Sequence, residues 1–534
     1  MTTPPLDRDR LLSLAADYAH GTCTQSDAEQ LELLLRADPA ARRMFVDYCM
    51  LHGQLAVSTV AVGPGRLERA AGGMAPAQGA AGGFGRPGMG RVATVVVGLS
   101  LAAACLAVIV TVRRGEPGGT RGGAGSYDDR QLPVVTVASL RDGVAAPQTL
   151  KPSTLRPEKA TALVTASGAD LNLPRASVFG VTAADAGSLY DGSVRARLTT
   201  RDANFSVTTA NLRIVDKGTA FSVERIDDDH VLVNVLDGEV EVQSRVRLPV
   251  CYWPFDDAGP AAGSQVTDVV GGLSAVLTGG ATPAAGIVGA GAVRFDNTPA
   301  AAARIEGGWG DRVGTGRLSM AEGITIEALI VSAWSGRYRD YDEIYRKEDG
   351  NCRVLLSFQN DGRDRAGFSE PGVPAGPCLS FGLHLAGLGY RELDMPLDGE
   401  DGRPTRAELT DGTPHHVVAI YDSFSGRKAI FIDGLKRFEH VYPVGTLVLS
   451  GGPAVAQVGN SQLGEPFNGV IDEFALYDFA LADDEIAAHH ASVLAGSNYF
   501  DSEAQGISGP RWQAVTRLGE GQRMTFNQHT GLPR

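Results

Sequence analysis

Phe467-Asn468-Gly469-Val470-Ile471-Asp472-Glu473-Phe474-Ala475-Leu476-Tyr477 is a run in which Val470, Asp472 and Phe474 recur at a period of two. That period belongs to a strand, because successive side chains of extended backbone point to opposite faces. Working back along the chain, Ile430 and Ile432 alternate in the same way and end on Asp433-Gly434, a tight-hairpin pair. Such strands suit sheets packed face to face. Working forward, Asp483-Asp484-Glu485-Ile486 predicts the start of a short helix after the last strand.

Further upstream the same period returns. Phe221/Val223, Val231/Val233/Val235 and Val240/Val242 alternate with polar residues. Asp227-Asp228-Asp229 separates two of these strands, and Asp237-Gly238 joins the next two as a hairpin.

Two family resemblances rest on these stretches. Tyr252-Trp253-Pro254-Phe255-Asp256-Asp257, Ala292–Asp296, Ile324–Ile330, His415–Ala419, Ile430–Gly434 and Phe467–Tyr477 follow the order of the LamG-like, concanavalin-type jelly roll. Leu329 and Pro414 depart from it, standing where family members usually carry Trp. Leu212-Arg213-Ile214-Val215-Asp216-Lys217-Gly218-Thr219-Ala220-Phe221-Ser222-Val223 and Val231–Val242 resemble the FecR-type periplasmic signalling domain, an interaction module. The jelly-roll resemblance also implies a structural Ca²⁺ between the first and closing strands. Asp256, Asp257 and Asp472 occupy the matching positions and offer the hard oxygen ligands that Ca²⁺ prefers; ordinary carboxylates at turns are the alternative.

Toward the N-terminus, Val92–Val112 is a 21-residue run without a charge, long enough to cross a hydrocarbon core of about 30 Å. Its flanks are poor in packing partners: residues 63–91 hold ten Gly and three Pro, and Gly115–Ser126 holds six Gly. Arg86 and Arg91 precede the run, while Arg113, Arg114, Arg121 and Arg130 follow it, a count that by itself favours a cytoplasmic C-side. Residues 1–60 read as three helices. Leu11, Leu14, Ala15 and Tyr18 form one stripe, and Ala28, Leu31, Leu34 and Leu35 form another behind a capping box at Ser26 and Glu29. Ala41, Phe45, Tyr48 and Leu55 line the third, behind Asp38-Pro39. The run from Leu11 to Leu55 is similar to the cytoplasmic heads of bacterial anti-sigma-factor-like membrane regulators. That resemblance implies a sigma factor as partner and a cytoplasmic N-terminus, against the Arg count. His20, Cys23, Cys49 and His52 could make a zinc set. The His-x3-Cys-x2-Cys run of related zinc domains is absent, so they are read as core Cys and helix-face His.

The expected architecture is multidomain. A helical anti-sigma-like head (1–60), a Gly-rich linker (61–91), one transmembrane helix (92–112) and a second linker (113–149) precede a FecR-type β domain (150–245). A LamG-like jelly roll (250–492) and a tail without pattern (493–534) complete it. The region after residue 112 carries 39 basic and 53 acidic residues and the whole net charge of −14, which excludes nucleic acid as its natural partner. No catalytic residues are expected. The paired carboxylates of glycoside hydrolases on this fold need one shared cleft, and their E-x-D-x-x-E strand is missing. Asp340, Asp342 and Glu343 are read as a solvated face. His415 and His416 are consecutive strand residues pointing to opposite faces, and so form no joint ligand set. Cys352 and Cys378 could pair beyond the membrane. Three functions follow. The first is a bacterial inner-membrane signalling protein that binds a glycan or protein outside and a sigma factor inside. The alternatives are a membrane-anchored adhesion or structural protein and a carbohydrate-active enzyme.

Overall fold

The computed structural model describes residues 154–534 apart from 166, 184, 199–203, 219, 259–262, 361–367, 461–463 and 501–510. It also describes strands at Val135–Leu140 and Gln148–Leu150 and scattered positions between Arg10 and Phe45. The chain divides into two units, Met1–Pro117 and Gly118–Arg534. In the first, Leu11, Leu14, Leu31 and Ala41 are buried together, with Leu34 and Phe45 packed against them. The Val92–Val112 run and the His20, Cys23, Cys49 and His52 set lie outside the described residues. Among the described residues, no helix is long and apolar enough to cross a membrane.

The second unit is mostly β. Its first sandwich packs two sheets around Phe179, Leu189, Phe221, Val223 and the fully buried alternating Val231, Val233, Val235, Val240 and Val242. Each such side chain contributes about 1.5–3 kcal/mol on burial. Ala220–Arg225 and His230–Asp237 belong to one sheet, while Leu212–Asp216 and Glu239–Arg245 belong to the other. The Asp237-Gly238 turn therefore crosses from one sheet to the other and is not the hairpin expected from the sequence, because its two flanking strands pair with other strands and not with each other.

Both sheets are finished by the chain's far end. Trp512–Gly519 pairs antiparallel with Glu239–Arg245, and Arg523–Asn527 pairs antiparallel with His230–Asp237. Leu518 and Phe526 enter the same core. The jelly roll is thus an insertion between two neighbouring strands of the first sandwich. It has its own pair of sheets. Thr282–Ala285, Gly291–Asp296, Asn468–Tyr477, Gly323–Ser332, His415–Asp422, Arg427–Ile432 and Leu435–Val441 run in order across one, with Cys251–Trp253 also on Asn468–Tyr477. The other ends in Asp342–Asp349, Cys352–Gln359, Cys378–Leu385 and Gly389–Pro396. Trp253, Phe295, Ile326, Phe358, Phe381, Ile430 and Phe474 fill the space between them. Leu329, at the family's Trp position, is fully buried. Asp433 and Gly434 both adopt positive φ, 54° and 73°, as a tight primed hairpin requires.

The two sandwiches meet through named contacts. Tyr190 donates to Glu322 Oε1 at 2.9 Å, and Val178, Tyr190, Phe424 and Leu447 cluster around that bond. Burial pushes the Glu322 carboxyl above its ordinary range. Gly445, at φ 78°, passes so close that a Cβ would meet Thr154, Val178 and Tyr190 at 2.8–3.0 Å. Near the two crossovers, Arg247 donates through Nε to Glu485 at 2.5 Å and through Nη1 to Asn211 at 2.9 Å. Arg245 stacks over Trp512 at 4.6 Å, and Arg511 pairs with Asp478 at 2.9 Å.

Candidate functional site

The face of the jelly roll's second sheet that is turned away from the core carries a set of buried polar and charged side chains. Val354, Leu356, Phe358, Leu379, Phe381, Leu383, Leu393 and Met395 point into the core, so their alternating neighbours point away from it. Register places Glu343, Ser357, Ser380 and Asp394 in one row across four strands, and Gln457, Arg346, Leu355, Gly382 and Glu392 in the next. Arg346 Nη1 donates to Glu343 at 2.5 Å and to Glu465 at 3.0 Å, and its Nε donates to Glu348 at 2.9 Å. Arg353 holds both oxygens of Glu348 at 3.0 Å and lies 4.8 Å over the Tyr390 ring, whose hydroxyl donates to Glu392 at 2.9 Å. Both Asp394 oxygens, Ser380 Oγ, Glu343 Oε2 and Gln457 Oε1 find no hydrogen-bond partner among the described residues. Burial and the neighbouring Glu465 hold the Glu343 carboxyl well above its usual range.

This corrects one expectation. Asp342 and Glu343 are not a solvated face: they are 0% and 2% exposed, on the Asp342–Asp349 strand. Glu343 is neutralised by Arg346, and Asp342 anchors the backbone N–H of Asn468 at 2.9 Å. Burial pushes the Asp342 carboxyl up to about 7.

The three carboxylates expected to hold calcium serve loops. Asp472 Oδ2 accepts from the N–H groups of Ile287 and Val288 at 2.8 and 3.1 Å, and its Oδ1 from Glu473 at 2.9 Å. Asp256 accepts from Ala290 and Gly291 at 2.5 and 3.0 Å. Asp257 turns to the N–H of Thr267 at 3.1 Å. Burial, with the Asp256 charge adding to it, raises Asp472 to about 7 against the pull of those N–H donors. Backbone donors thus take both Asp472 oxygens and Asp256 Oδ1, and Asp257 faces a different segment. The donor set does not fit a three-carboxylate Ca²⁺ site. Among the described residues, Asp227, Asp229 and His230 are the group of three whose ligand atoms come within 4.8 Å of one another. There Asp227 Oδ1 accepts from the backbone of Asp229 and His230 and so closes an exposed turn.

His415 and His416 do point apart. His415 Nδ1 bonds Asp433 at 2.9 Å, while His416 Nε2 bonds the buried Glu327 at 2.9 Å. Cys352 and Cys378 are buried and do not pair with each other. Cys378 sits opposite Gln359 on the neighbouring strand, seven residues or about 23 Å along from Cys352. Sequence reading missed the whole Glu327 cluster. One signal was available: Glu327, Asp472 and Glu473 are acids inside strands that otherwise read as core.

The comparisons with known proteins agree with this architecture. Residues 156–241 match the family described as FecR protein, and residues 358–487 match the concanavalin A-like lectin/glucanases superfamily. Curated proteins give no match. Among solved structures, domain 4 of AbnA, a GH43 extracellular arabinanase from Geobacillus stearothermophilus in complex with arabinotriose, is 17% identical. The match covers 45% of this chain and 96% of that one, with a TM-score of 0.29. The binding domain of Paraclostridial Mosquitocidal Protein 1 is 11% identical over 46% of this chain and 52% of its own, with a TM-score of 0.32. The Ruminococcus gnavus IT-sialidase CBM40 bound to alpha2,3 sialyllactose is 16% identical over 32% and 83%, with a TM-score of 0.23. Likeness this distant says nothing about ligand or activity. The two family matches fall on the two sandwiches described above: the chain carries a segment that matches FecR protein and, inserted in that sandwich, one that matches the LamG-like, concanavalin A-like superfamily.

Proposed function

We propose that the chain is a single-pass membrane receptor that binds rather than catalyses. The LamG-like domain takes a glycan or protein ligand outside the cell, the FecR-type sandwich relays that state, and the helical head holds a cytoplasmic sigma factor. One observation carries the reading. The LamG-like domain is inserted between strands that the FecR-type sandwich needs for both of its sheets, and it is clamped there by Tyr190–Glu322 and Arg247–Glu485. A ligand that shifts one sandwich therefore acts on the other without an intervening flexible tether.

Binding is favoured over hydrolysis because the acids of the polar sheet face are closed over. Asp394 is 1% and Glu392 7% exposed, so these two carboxylates are not presented to a glycosidic bond. The exposed rings of Trp309, Tyr338 and Phe368 are the surfaces on which a sugar or peptide would stack. Two measurements test the reading together. Protease added to spheroplasts should digest the β region and spare the head, and the full-length chain should retain a sigma factor on capture from detergent extract. Protection of the β region would overturn the receptor.

A further inference from the structure

The outer face of the first jelly-roll sheet is roofed by the Asp483–Leu494 helix and by Tyr499 and Phe500. At its centre Glu327 is fully buried. Its Oε1 accepts from His416 Nε2 and from His489 Nδ1, each at 2.9 Å, and its Oε2 accepts from the Tyr477 hydroxyl at 2.7 Å. His489 belongs to the roof and the others to the sheet, so this carboxylate pins one onto the other. One turn earlier on the helix, Glu485 receives Arg247 from the chain leaving the FecR-type sandwich. The Arg247 guanidinium also lies 4.4 Å over Phe479. Residues four apart share a helix face, so Glu485 and His489 are neighbours. Arg247, Glu485, His489 and Glu327 thus alternate in charge from one sandwich, along the helix, into the other.

We propose that this row is a proton-operated latch. Protonated His489 locks the helix onto Glu327 and presents Glu485 to Arg247, and loss of that proton loosens the docking of the two sandwiches. The latch stands on the contacts of the second unit alone, whether or not the head binds a sigma factor.

His489 is the operator because it reaches solvent, with its side chain 14% exposed, whereas His416 is sealed. His416 Nδ1 finds no hydrogen-bond partner among the described residues, and the ring stacks on His490 at 5.8 Å, away from solvent. Other groups face His489 as well. Glu485 favours its charge and Arg247 opposes it, while burial alone would lower its pKa. Glu327 outweighs that, and His489 stays above the ordinary imidazole value. On Glu327 burial pushes upward, but the His489 charge and the bonds from His416 and His489 hold the carboxyl at about 2. His490, beside His416 and Asp433, is held below its ordinary value, first by burial. Tyr477 and Tyr499 stay protonated through burial, as does Glu473, at about 8, whose partner is the Tyr252 hydroxyl. A raised histidine stabilises the docked form fully below its unfolded pKa and loses that contribution as pH rises through the folded value. At the acid end the latch holds until Glu327 itself protonates.

Hydrogen exchange of the full-length protein at pH 6 and pH 9, corrected for intrinsic rates, reads the latch directly. We expect the amides of 483–494 and of Val246 and Val250, which bond Arg511 and Leu476, to lose about tenfold in protection at the higher pH. His489→Gln keeps a donor for Glu327 but no charge, and should show no such response, while His490→Gln should respond as the unaltered chain does. In Arg247→Ala the helix should still respond and Val246 should not. A flat profile in the unaltered chain, or a response that survives His489→Gln, overturns the latch. A Val246 response that survives Arg247→Ala overturns its transmission between the sandwiches.

Discussion

Replacing Phe526 by Ala should strongly destabilise the FecR-type sandwich, although the residue lies 281 positions beyond Arg245, where that sandwich's last sequence-local strand ends. Phe526 is fully buried and sits opposite Val231 in the ladder between Arg523–Asn527 and His230–Asp237. Truncating a buried Phe removes its transfer energy and leaves a cavity, together about 3–5 kcal/mol. A domain of this size holds about 5–15 kcal/mol in all, so a fifth or more of its stability is at stake. With a urea slope of about 1.5 kcal/mol/M, the midpoint should fall by roughly 2–3 M. Urea unfolding of the full-length protein, read by exchange of the Ala220–Arg225 and His230–Asp237 amides, measures it. A shift below roughly 0.5 M would show that the C-terminal hairpin is not part of this core.

Three further outcomes follow from the geometry. Because backbone N–H groups occupy Asp472 and Asp256, the melting temperature should be indifferent to millimolar Ca²⁺ and to chelator; a rise that Asp472→Ala abolishes would restore the calcium reading. Glu473, raised by burial to about 8, binds a proton in the folded state that the unfolded chain releases near 4.5, so stability should decline as pH climbs through that window. Glu473→Gln should flatten the decline, and an unchanged slope would place the effect elsewhere. In the head, Leu31→Asp puts a charge into the Leu11, Leu14 and Ala41 cluster and should abolish its helical circular dichroism, since an unpaired buried charge costs several kcal/mol; Phe45→Asp should do the same.

What the sequence shows and hides follows from how strands are buried. Val231, Val233, Val235, Val240 and Val242 announce themselves because one face of each strand is sealed and the other is not. Trp512–Gly519 is an edge strand with Leu518 as its single sealed position, so it carries no period to read. The Phe467–Tyr477 run is legible as a strand, but both Asp472 and Glu473 are buried. Glu473 adopts a φ of 50°, and the pairing with Gly323–Ser332 shifts between Glu327 and Leu329, so the alternation slips there by one residue. The Glu327 cluster stayed hidden for a related reason. Its partners come from two strands, a helix and a following turn, and proximity among them is made only by the fold.

The inserted topology also orders events in time. Val240 and its partner Leu518 are 278 residues apart, so a chain emerging from a ribosome or a translocation pore carries FecR-type sheets that each lack an edge strand until residues 512–527 arrive. Such long-range pairing is slow unless something brings the ends together. The jelly roll does this once it has folded, since its own first and closing strands, Cys251–Trp253 and Asn468–Tyr477, lie side by side. A chain that stops early, or whose jelly roll misfolds, would leave both sheet edges open and attract the cell's degradation machinery. Completion of the first sandwich's sheets thus acts as a receipt that the jelly roll inserted in them has been built.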